Sequence, residues 1–396
     1  MEISVRQGDS IWHYSQLFDI PANLIIDSNQ SINPNQLSIG QTIVIPGFVT
    51  TTYKIQSGDT FWSIAQKRNL AIDALKLVNP TVNPTMLSIG QTINLPVRVT
   101  WRVVNGKEKY DYTKFQEDVR ELLKIYPFLL AETIGTSVMG KNITELRVGK
   151  GSKRVHVNGS FHANEWITTP AIMSFLNDYL LSITNQGTLN SVNLESLYQT
   201  TMLSLVPMVN PDGVNLVLNG LPEQEPYRSE VLAWNNGSRD FSKWKANIRG
   251  VDLNNQFPAG WEIEKARKPN TPGPRDFPGT YPLSEPEAQA MANLTRTRDF
   301  KRVNAFHTQG QVIYYGFNDQ EPPIAEVIAN EYANVTGYQP VKTVDSYAGY
   351  KDWFIQEWRR PGYTVEFGRG LNPLPLSQFN EIARAARGII LASLYM

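Results

Sequence analysis

The stretch Gly159-Ser-Phe-His162-Ala-Asn-Glu165-Trp166 begins where an apolar, strand-like run, Val155–Asn158, ends. A histidine and a glutamate three residues apart, in a loop at the end of a strand, can both turn to one ion and offer it a nitrogen and a carboxylate oxygen. The same spacing also occurs in surface pairs that bind nothing. It predicts a metal site only if a third ligand lies elsewhere in the chain.

The third ligand is expected to be His307, which directly follows a second strand-like run, Val303–Phe306. Ligands at the ends of neighbouring strands can converge, and two histidines with one glutamate leave the fourth position of a zinc ion open to water. This arrangement is typical of catalytic rather than structural zinc. The chain has only four histidines, and the other two are expected to have structural or surface roles: His156 inside a strand and His13 near the N-terminus.

Helical and strand-like segments alternate from Trp101 onward. Apolar strands alternating with helices predict an α/β domain whose sheet is largely buried and covered on both faces. Ser284 and Glu287 have the spacing of a capping box at a helix start. Helices are predicted at Tyr112–Tyr126, Thr169–Leu181, Ile324–Asn334 and Ser377–Leu394, with one more from Ser284, and strands at Glu145–Val148, Val155–Asn158, Thr201–Val209, Val303–Phe306 and Tyr363–Phe367.

The first hundred residues contain an internal repeat with a period of 50 residues. The run Leu37-Ser-Ile-Gly-Gln-Thr42 recurs as Leu87-Ser-Ile-Gly-Gln-Thr92, and Gly8-Asp-Ser10 recurs as Gly58-Asp-Thr60. Ser10 and Thr60 are natural helix N-caps. Each copy therefore predicts the order strand, helix, helix, strand. Strands are expected at Ile3–Val5 with Gln41–Ile45, and at Tyr53–Ile55 with Gln91–Leu95.

The two copies closely resemble the LysM module, down to the Asn-Pro turn and the closing Ile-Pro or Leu-Pro. The resemblance implies binding to N-acetylglucosamine-containing glycans, namely peptidoglycan or chitin. Residues 1–50 carry a net charge of −3 and residues 51–100 a net charge of +3, which favours a neutral sugar as the shared ligand. The alternative is a repeat that only packs and spaces the chain.

The composition excludes several classes of function. With 37 basic and 37 acidic side chains, bulk charge suggests no nucleic-acid partner. The absence of cysteine excludes thiolate ligands and thiol nucleophiles, so a metal must take histidine and carboxylate ligands.

Targeting signals give a further expectation about location. The start, Met-Glu-Ile-Ser-Val-Arg, shows no signal peptide, and no apolar run is long enough for a membrane span. We therefore expect cytoplasmic synthesis and no membrane partner. A substrate in the cell wall or spore wall then requires another exit, such as lysis or release from a sporulating mother cell, unless this sequence is already processed.

Residues from about 110 to 396 resemble the zinc carboxypeptidases of the carboxypeptidase A type. The motifs that carry the resemblance occur in family order: His162-Ala-Asn-Glu165-Trp166, Val209-Asn-Pro-Asp-Gly213, Gly250-Val-Asp252-Leu-Asn254, His307-Thr-Gln309, Asp352-Trp353 and Thr364-Val-Glu366-Phe-Gly368. The resemblance implies a mixed, twisted sheet flanked by helices.

The same resemblance implies roles for individual residues. His162, Glu165 and His307 would hold one zinc ion per chain, Asp252 would fix the tautomer of the first histidine, and Glu366 would be the general base.

The sequence departs from the family where substrate is held. Family exopeptidases grip a terminal carboxylate with an arginine in Asn-Arg-Asn, but this chain has Asn254-Asn255-Gln256, so the bidentate clamp is missing. The cation that assists the oxyanion is expected to be Lys245 by spacing, or Arg249 instead. The mobile tyrosine of the family corresponds to Tyr347 or to Tyr350, of which Tyr347 is preferred.

Loss of the clamp together with LysM repeats resembles the bacterial γ-D-glutamyl-L-diamino acid endopeptidases. Lys351, just before Asp352-Trp353, occupies the position that shapes the pocket floor in the family. A lysine there can meet the side-chain carboxylate of diaminopimelate, or it can be a solvated lysine with no such role.

We therefore predict LysM modules at residues 1–49 and 50–98 and a zinc peptidase domain at 99–396. The predicted reaction is hydrolysis of the bond between γ-D-glutamate and diaminopimelate in peptidoglycan stem peptides, with the LysM modules on the glycan. The alternatives are a metallocarboxypeptidase that removes a C-terminal residue from wall peptides, and a peptidoglycan-binding protein without activity.

Overall fold

The computed structural model describes residues 1–343 and 345–396. They divide into two compact units. The first contains residues 1–103, 119–130 and 177–194, and the second contains residues 104–118, 131–176 and 195–396.

The first unit contains the two repeats, and each has the predicted order of elements. Within each repeat the two strands pair antiparallel. The elements of the first repeat are Glu2–Ser4, Ile11–Phe18, Ala22–Asp27 and Thr42–Val44, and those of the second are Phe48–Lys54, Phe61–Lys67, Ile72–Leu77 and Thr92–Arg98. A short hairpin, Thr188–Leu189 with Val192–Asn193, also lies in this unit.

The predicted caps of both repeats are confirmed. The side chain of Ser10 accepts a hydrogen bond from the N–H of His13. Thr60 forms a capping box with Ser63, which also satisfies the free N–H of the cap residue itself. Behind the caps, Ile11, Tyr14 and Phe18 occupy one face of the first helix and are buried, as helical spacing requires.

A mixed sheet of eight strands forms the core of the described second unit, which confirms the predicted fold class. Four adjacent central strands, Thr201–Val206, Lys153–Gly159, Arg302–Thr308 and Gly362–Phe367, are parallel to one another. Every residue of Arg302–Thr308 is buried, as expected for a parallel strand covered on both faces. The outer strands are Asn142–Val148 and Leu130–Thr136 on one side, and Val312–Tyr314 and Gln339–Val341 on the other.

The remaining helices are Tyr112–Ile125, Thr168–Thr184, Leu194–Thr200, Pro211–Asn219, Tyr227–Trp234, Trp261–Arg267, Pro286–Arg298, Ile324–Thr336, Tyr350–Trp358 and Phe379–Tyr395. Short 3-10 turns lie at Ala163–Glu165, Leu253–Asn255 and Leu376–Gln378. Within the described residues, no helix is long and apolar enough to cross a membrane.

Two expectations about the elements are wrong. The helix predicted from Ser284 begins at Pro286 and its N-cap, Glu285, makes no side-chain capping bond; the Ser284 hydroxyl instead bonds the side chains of Gln256 and Glu285. The strand predicted to reach Val209 ends at Val206, because the following Pro207 has no N–H to donate to the sheet.

Candidate metal centre and active site

The metal centre lies at the carboxyl ends of adjacent parallel strands. Lys153–Gly159 leads into the loop that carries His162, and the neighbouring strand Arg302–Thr308 carries His307. In the next strand, Glu366 is the register partner of His307. The parallel pairing therefore brings residues that are far apart in the sequence to one edge of the sheet.

The loop after the first strand, which carries His162 and Glu165, is held in place by hydrogen bonds. Ser160 has a left-handed φ of 52°, and its N–H donates to the hydroxyl of Thr168 at 2.9 Å. The same hydroxyl donates to the carbonyl of Glu165 at 2.9 Å, and the N–H of Ala163 donates to the carbonyl of Lys245 at 3.0 Å. His162 and Glu165 are thus presented by a rigid turn.

His162, Glu165 and His307 form a buried cluster able to hold a metal ion. Nδ1 of His162 and Nδ1 of His307 lie 3.2 Å apart, and each lies 2.9 Å from an oxygen of Glu165. Ligand atoms about 2.1 Å from a tetrahedral zinc ion lie about 3.4 Å from one another. The three groups therefore fit a zinc ion after a small outward adjustment.

Charge around the cluster also fits a cation. Burial disfavours a charged imidazole, but the carboxylates of Glu165 and Asp252 outweigh it and raise the pKa of His162 to about 9. Burial likewise opposes ionisation of Glu165, yet the two histidines lower its pKa to about 2. The carboxylates of Glu165 and Asp252 thus favour positive charge at His162, whereas burial lowers the pKa of His307, and a bound zinc ion would take the place of the proton on His162.

Asp252 lies behind the first histidine, at the position where the sequence placed it. Its Oδ1 is 3.2 Å from Nε2 of His162, which leaves Nδ1 free for a metal. Its Oδ2 is 2.7 Å from Nζ of Lys245. Burial is the largest influence on Asp252 and opposes its ionisation, but Lys245 and His162 hold its pKa well below the ordinary range.

Lys245 is also paired with Asp276, a residue that the sequence did not single out. The Nζ of Lys245 is 3.2 Å from Oδ1 of Asp276. Burial opposes its charge, but Asp252 and Asp276 raise the pKa of Lys245. Asp276 lies outside every motif, and only its spatial contact reveals it.

Glu366 has a carboxylate oxygen, Oε2, with no hydrogen-bond partner among the described residues. Burial, followed by the negative charge of Glu165, raises its pKa to about 8. A buried carboxylate oxygen without a partner in the described structure therefore lies on the residue that pairs in register with His307.

The remaining residues expected to bind substrate differ in their burial and in their hydrogen bonds. The side-chain oxygen of Asn254 accepts from the N–H of Tyr350 at 3.2 Å, whereas Asn255 is buried and its Nδ2 has no partner in the described structure. Arg249 is half exposed and lies 3.7 Å from Glu285. Since Arg249 points to Glu285 and Lys245 contacts Asp252, the structure favours Lys245 as the cation beside the metal centre.

The two candidate tyrosines have different surroundings. Tyr350 is completely buried and its hydroxyl lies 2.8 Å from that of Thr295. Tyr347 is partly buried, packs edge-on against Phe317, and lines a cleft of about 340 Å³. A tyrosine that moves toward substrate must be accessible, which favours Tyr347.

Lys351 is only 4% exposed. The expectation that it could be a solvated lysine is therefore wrong. Its Nζ donates to the carbonyl of Gly316 at 2.7 Å and lies 2.5 Å from Oδ1 of Asp352. Gly316 and Tyr347 line the same cleft. The ammonium group therefore lies behind the wall of this cleft.

Comparison with known proteins adds to this geometry. A profile of the zinc carboxypeptidases matches residues 116–386, and a profile of the LysM domain matches residues 3–46 and 53–96. The γ-D-glutamyl-L-diamino acid endopeptidase 1 of Lysinibacillus sphaericus is 62% identical over 396 residues, which is all of both chains. The uncharacterized protein YqgT of Bacillus subtilis is 44% identical over 290 residues, 72% of this chain and 77% of that protein.

Solved structures support the fold alone. Bovine thrombin-activatable fibrinolysis inhibitor, in complex with tick carboxypeptidase inhibitor, superimposes with a TM-score of 0.56 at 19% identity, over 73% of this chain and 97% of that one. The profile matches and the relative that is 62% identical over both chains show that the chain belongs to the zinc carboxypeptidase family, with two LysM domains ahead of the peptidase region.

Proposed function

We propose that this protein is a zinc-dependent peptidase that hydrolyses the γ-D-glutamyl-diaminopimelate bond of peptidoglycan stem peptides. The observation that carries the proposal is the convergence of Nδ1 of His162, Nδ1 of His307 and the carboxylate of Glu165 within 2.9 to 3.2 Å, beside the unpaired carboxylate of Glu366. The full-length relative of Lysinibacillus sphaericus, named for this endopeptidase activity, supports the substrate.

A zinc ion held by His162, Glu165 and His307 would supply a Lewis acid that polarises the scissile carbonyl and makes water a nucleophile at neutral pH. Glu366 accepts the proton of the attacking water and delivers it to the leaving amine. Burial raises the pKa of Glu366 above that of an ordinary glutamate, which helps a group that must return the proton as well as take it.

Asp252 and Lys245 support this chemistry from behind the metal. The bond from His162 to Asp252 fixes the tautomer that turns Nδ1 toward the metal. Lys245 is held by Asp252 and Asp276, and we assign to it the stabilisation of negative charge on the carbonyl oxygen. Asn254 and Tyr347 are assigned to substrate binding.

Specificity for an internal bond follows from the absence of a carboxylate clamp. Asn255 is neutral and buried, so a free C-terminal carboxylate has no guanidinium partner at this position. Lys351 is assigned a role at the pocket floor, where its ammonium donates to the carbonyl of Gly316 and pairs with Asp352. A metallocarboxypeptidase would instead require a free carboxylate.

Digestion of purified muropeptides followed by mass spectrometry tests the reaction. Release of a diaminopimelate-containing peptide is expected, while L-alanyl-D-glutamate stays attached to the sugar, and Glu366→Gln protein should hydrolyse the bond far more slowly. Loss of only a C-terminal residue would establish the carboxypeptidase alternative. Binding to wall glycan without any hydrolysis would establish the inactive alternative.

The LysM repeats, for which we propose boundaries at residues 1–49 and 50–98 ahead of a peptidase domain at 99–396, are assigned to the glycan. Trp12 and Trp62 occupy equivalent positions in the two repeats and are 70% and 62% exposed, and we assign these two side chains to contact with the glycan. We expect Trp12→Ala with Trp62→Ala to reduce cosedimentation with cell-wall sacculi while cleavage of soluble stem peptides is unchanged. Equal cosedimentation would contradict this assignment.

We further propose that the protein is made in the cytoplasm and acts on wall or spore peptidoglycan. Fractionation of growing and sporulating cells with an antibody to the protein tests this. Detection only in a membrane fraction would contradict it.

A further inference from the structure

Asn372 contacts the proposed metal centre from a segment that follows the strand Gly362–Phe367. Its Nδ2 donates to Oε1 of Glu165 at 3.3 Å and to the carbonyl of Thr308 at 2.7 Å. Its Oδ1 accepts from the hydroxyl of Thr308 at 2.7 Å. The carboxamide therefore joins a metal-binding carboxylate to the residue that follows the metal-binding His307.

The contacts allow only one orientation of the carboxamide. The carbonyl of Thr308 and the carboxylate of Glu165 can only accept hydrogen bonds, so both require the NH₂ group of Asn372. If the amide were reversed, its oxygen would face both of these acceptors. The hydroxyl of Thr308, which can donate, completes the set by bonding the remaining oxygen.

We propose that Asn372 is a positioning residue that holds the carboxylate of Glu165 toward the metal, and that the hydroxyl of Thr308 sets its orientation. The inference rests on the proposed role of Glu165 as a metal ligand. Metal-binding carboxylates are held in this way by outer hydrogen bonds, whose loss typically lowers metal affinity by about 10- to 100-fold.

The size of the effect should lie at the lower end of this range. The bond to Glu165 is 3.3 Å, longer than the usual ~2.9 to 3.0 Å for a donor N–H. Asn372→Ala should therefore weaken zinc binding by about 10-fold. Thr308→Val, which keeps the shape but removes the hydroxyl, should weaken it less, and Thr308→Ser should bind zinc as the native protein does.

Zinc affinity, measured by competition with a chromophoric chelator, tests the inference without relying on activity. Gln378→Ala is the matched control, because Gln378 holds the same segment through the backbone of Arg369. Its Oε1 accepts from the N–H of Arg369 at 3.0 Å and its Nε2 donates to the carbonyl of Arg369 at 2.7 Å. Circular dichroism of each metal-free variant confirms folding. The spectrum of the cobalt-substituted protein should also change for Asn372→Ala and not for Gln378→Ala.

The outcomes separate this inference from the proposed function. If the native protein binds no zinc, the proposed function is wrong. If native and Asn372→Ala proteins bind zinc within twofold of each other, only the positioning role is wrong. If Gln378→Ala weakens zinc as much as Asn372→Ala, loosening of the segment explains the effect and the inference is also overturned.

Discussion

The repeats and the metal centre both bury polar side chains, but they satisfy them differently. Asn29 in the first repeat donates to the carbonyls of Ile25 and Val44 and accepts from the N–H of Val44, all at 2.7 to 2.8 Å. Asn79 makes the same three bonds in the second repeat, each at 2.8 Å. Every polar atom of these asparagine amides therefore contacts backbone of its own repeat.

In the metal centre, by contrast, the buried polar groups are not satisfied by the backbone. Two imidazole nitrogens and a carboxylate face one another at 2.9 to 3.2 Å, and Glu366 has an oxygen without a partner among the described residues. Buried polar groups that are satisfied by the protein stabilise the fold, whereas groups left facing each other require something from outside. Substitutions should therefore affect stability in the repeats and ligand binding in the metal centre.

The largest expected effect is that of removing one of the two histidines proposed to hold the metal. His307→Ala should lose bound zinc and, with it, several kcal/mol of transition-state stabilisation, a rate loss of about 10³-fold or more. Zinc content by atomic absorption and turnover of a stem peptide measure both. His13→Ser, which introduces the residue of the second repeat at that position, is the control and should keep zinc and activity.

Glu366→Gln should keep zinc and stability but lower turnover by about 10²- to 10⁴-fold, the usual contribution of a general base. The base must be ionised to accept a proton, and burial and Glu165 raise its pKa. Activity of the native enzyme should therefore fall as pH decreases through the pKa of Glu366. A variant that retains activity with an unchanged acidic limb of its pH profile would place the base elsewhere.

Much of this site could be predicted from the sequence, because its motifs join a strand end to a chemically distinctive residue. His162 and His307 each lie at the end of an apolar run, and parallel strand ends share one edge of a sheet. Asp276 and Asn372 could not be predicted, since their roles depend on contacts between loops that no periodicity marks. The strand Val312–Tyr314, second from one edge of the sheet, was also not predicted, because three residues are too few to show a repeating pattern.

The buried state of Lys351 shows a second limit of sequence analysis. A lysine in a helix after a loop is usually solvated, and only the positions of Gly316 and Asp352 around its ammonium group reveal that it is buried and paired. Burial of a charged side chain depends on partners that are distant in sequence, which local composition does not show.

In the repeats, Asn79→Ala should lower the free energy of unfolding by about 1 to 3 kcal/mol, because it leaves buried backbone groups without partners. Asn29→Ala should have a similar effect, since its three bonds are equivalent. Neither change should alter zinc content or turnover of a soluble peptide. Denaturant unfolding measures stability, with the exposed Asn33→Ala as control, and a loss of zinc in either variant would contradict the separation of roles.

The smallest expected effect concerns the contact between the two repeats, which uses residues that the repeats do not share. Arg6, whose counterpart is Gln56, places Nη1 and Nη2 at 2.8 and 2.7 Å from the carboxylate of Asp73, whose counterpart is Asn23. The bond is bidentate, but both side chains are more than a third exposed, so solvent screening limits the pair to about 0.2 to 1 kcal/mol.

Arg6 also bonds Asp9, so the substitution Arg6→Gln alone removes two contacts. A double-mutant cycle with Arg6→Gln and Asp73→Asn isolates the pair, and its coupling energy should decrease as salt is raised. A coupling near zero at low salt would mean that packing alone joins the repeats, while one above about 2 kcal/mol would mean that the exposed bridge is far stronger than such pairs usually are.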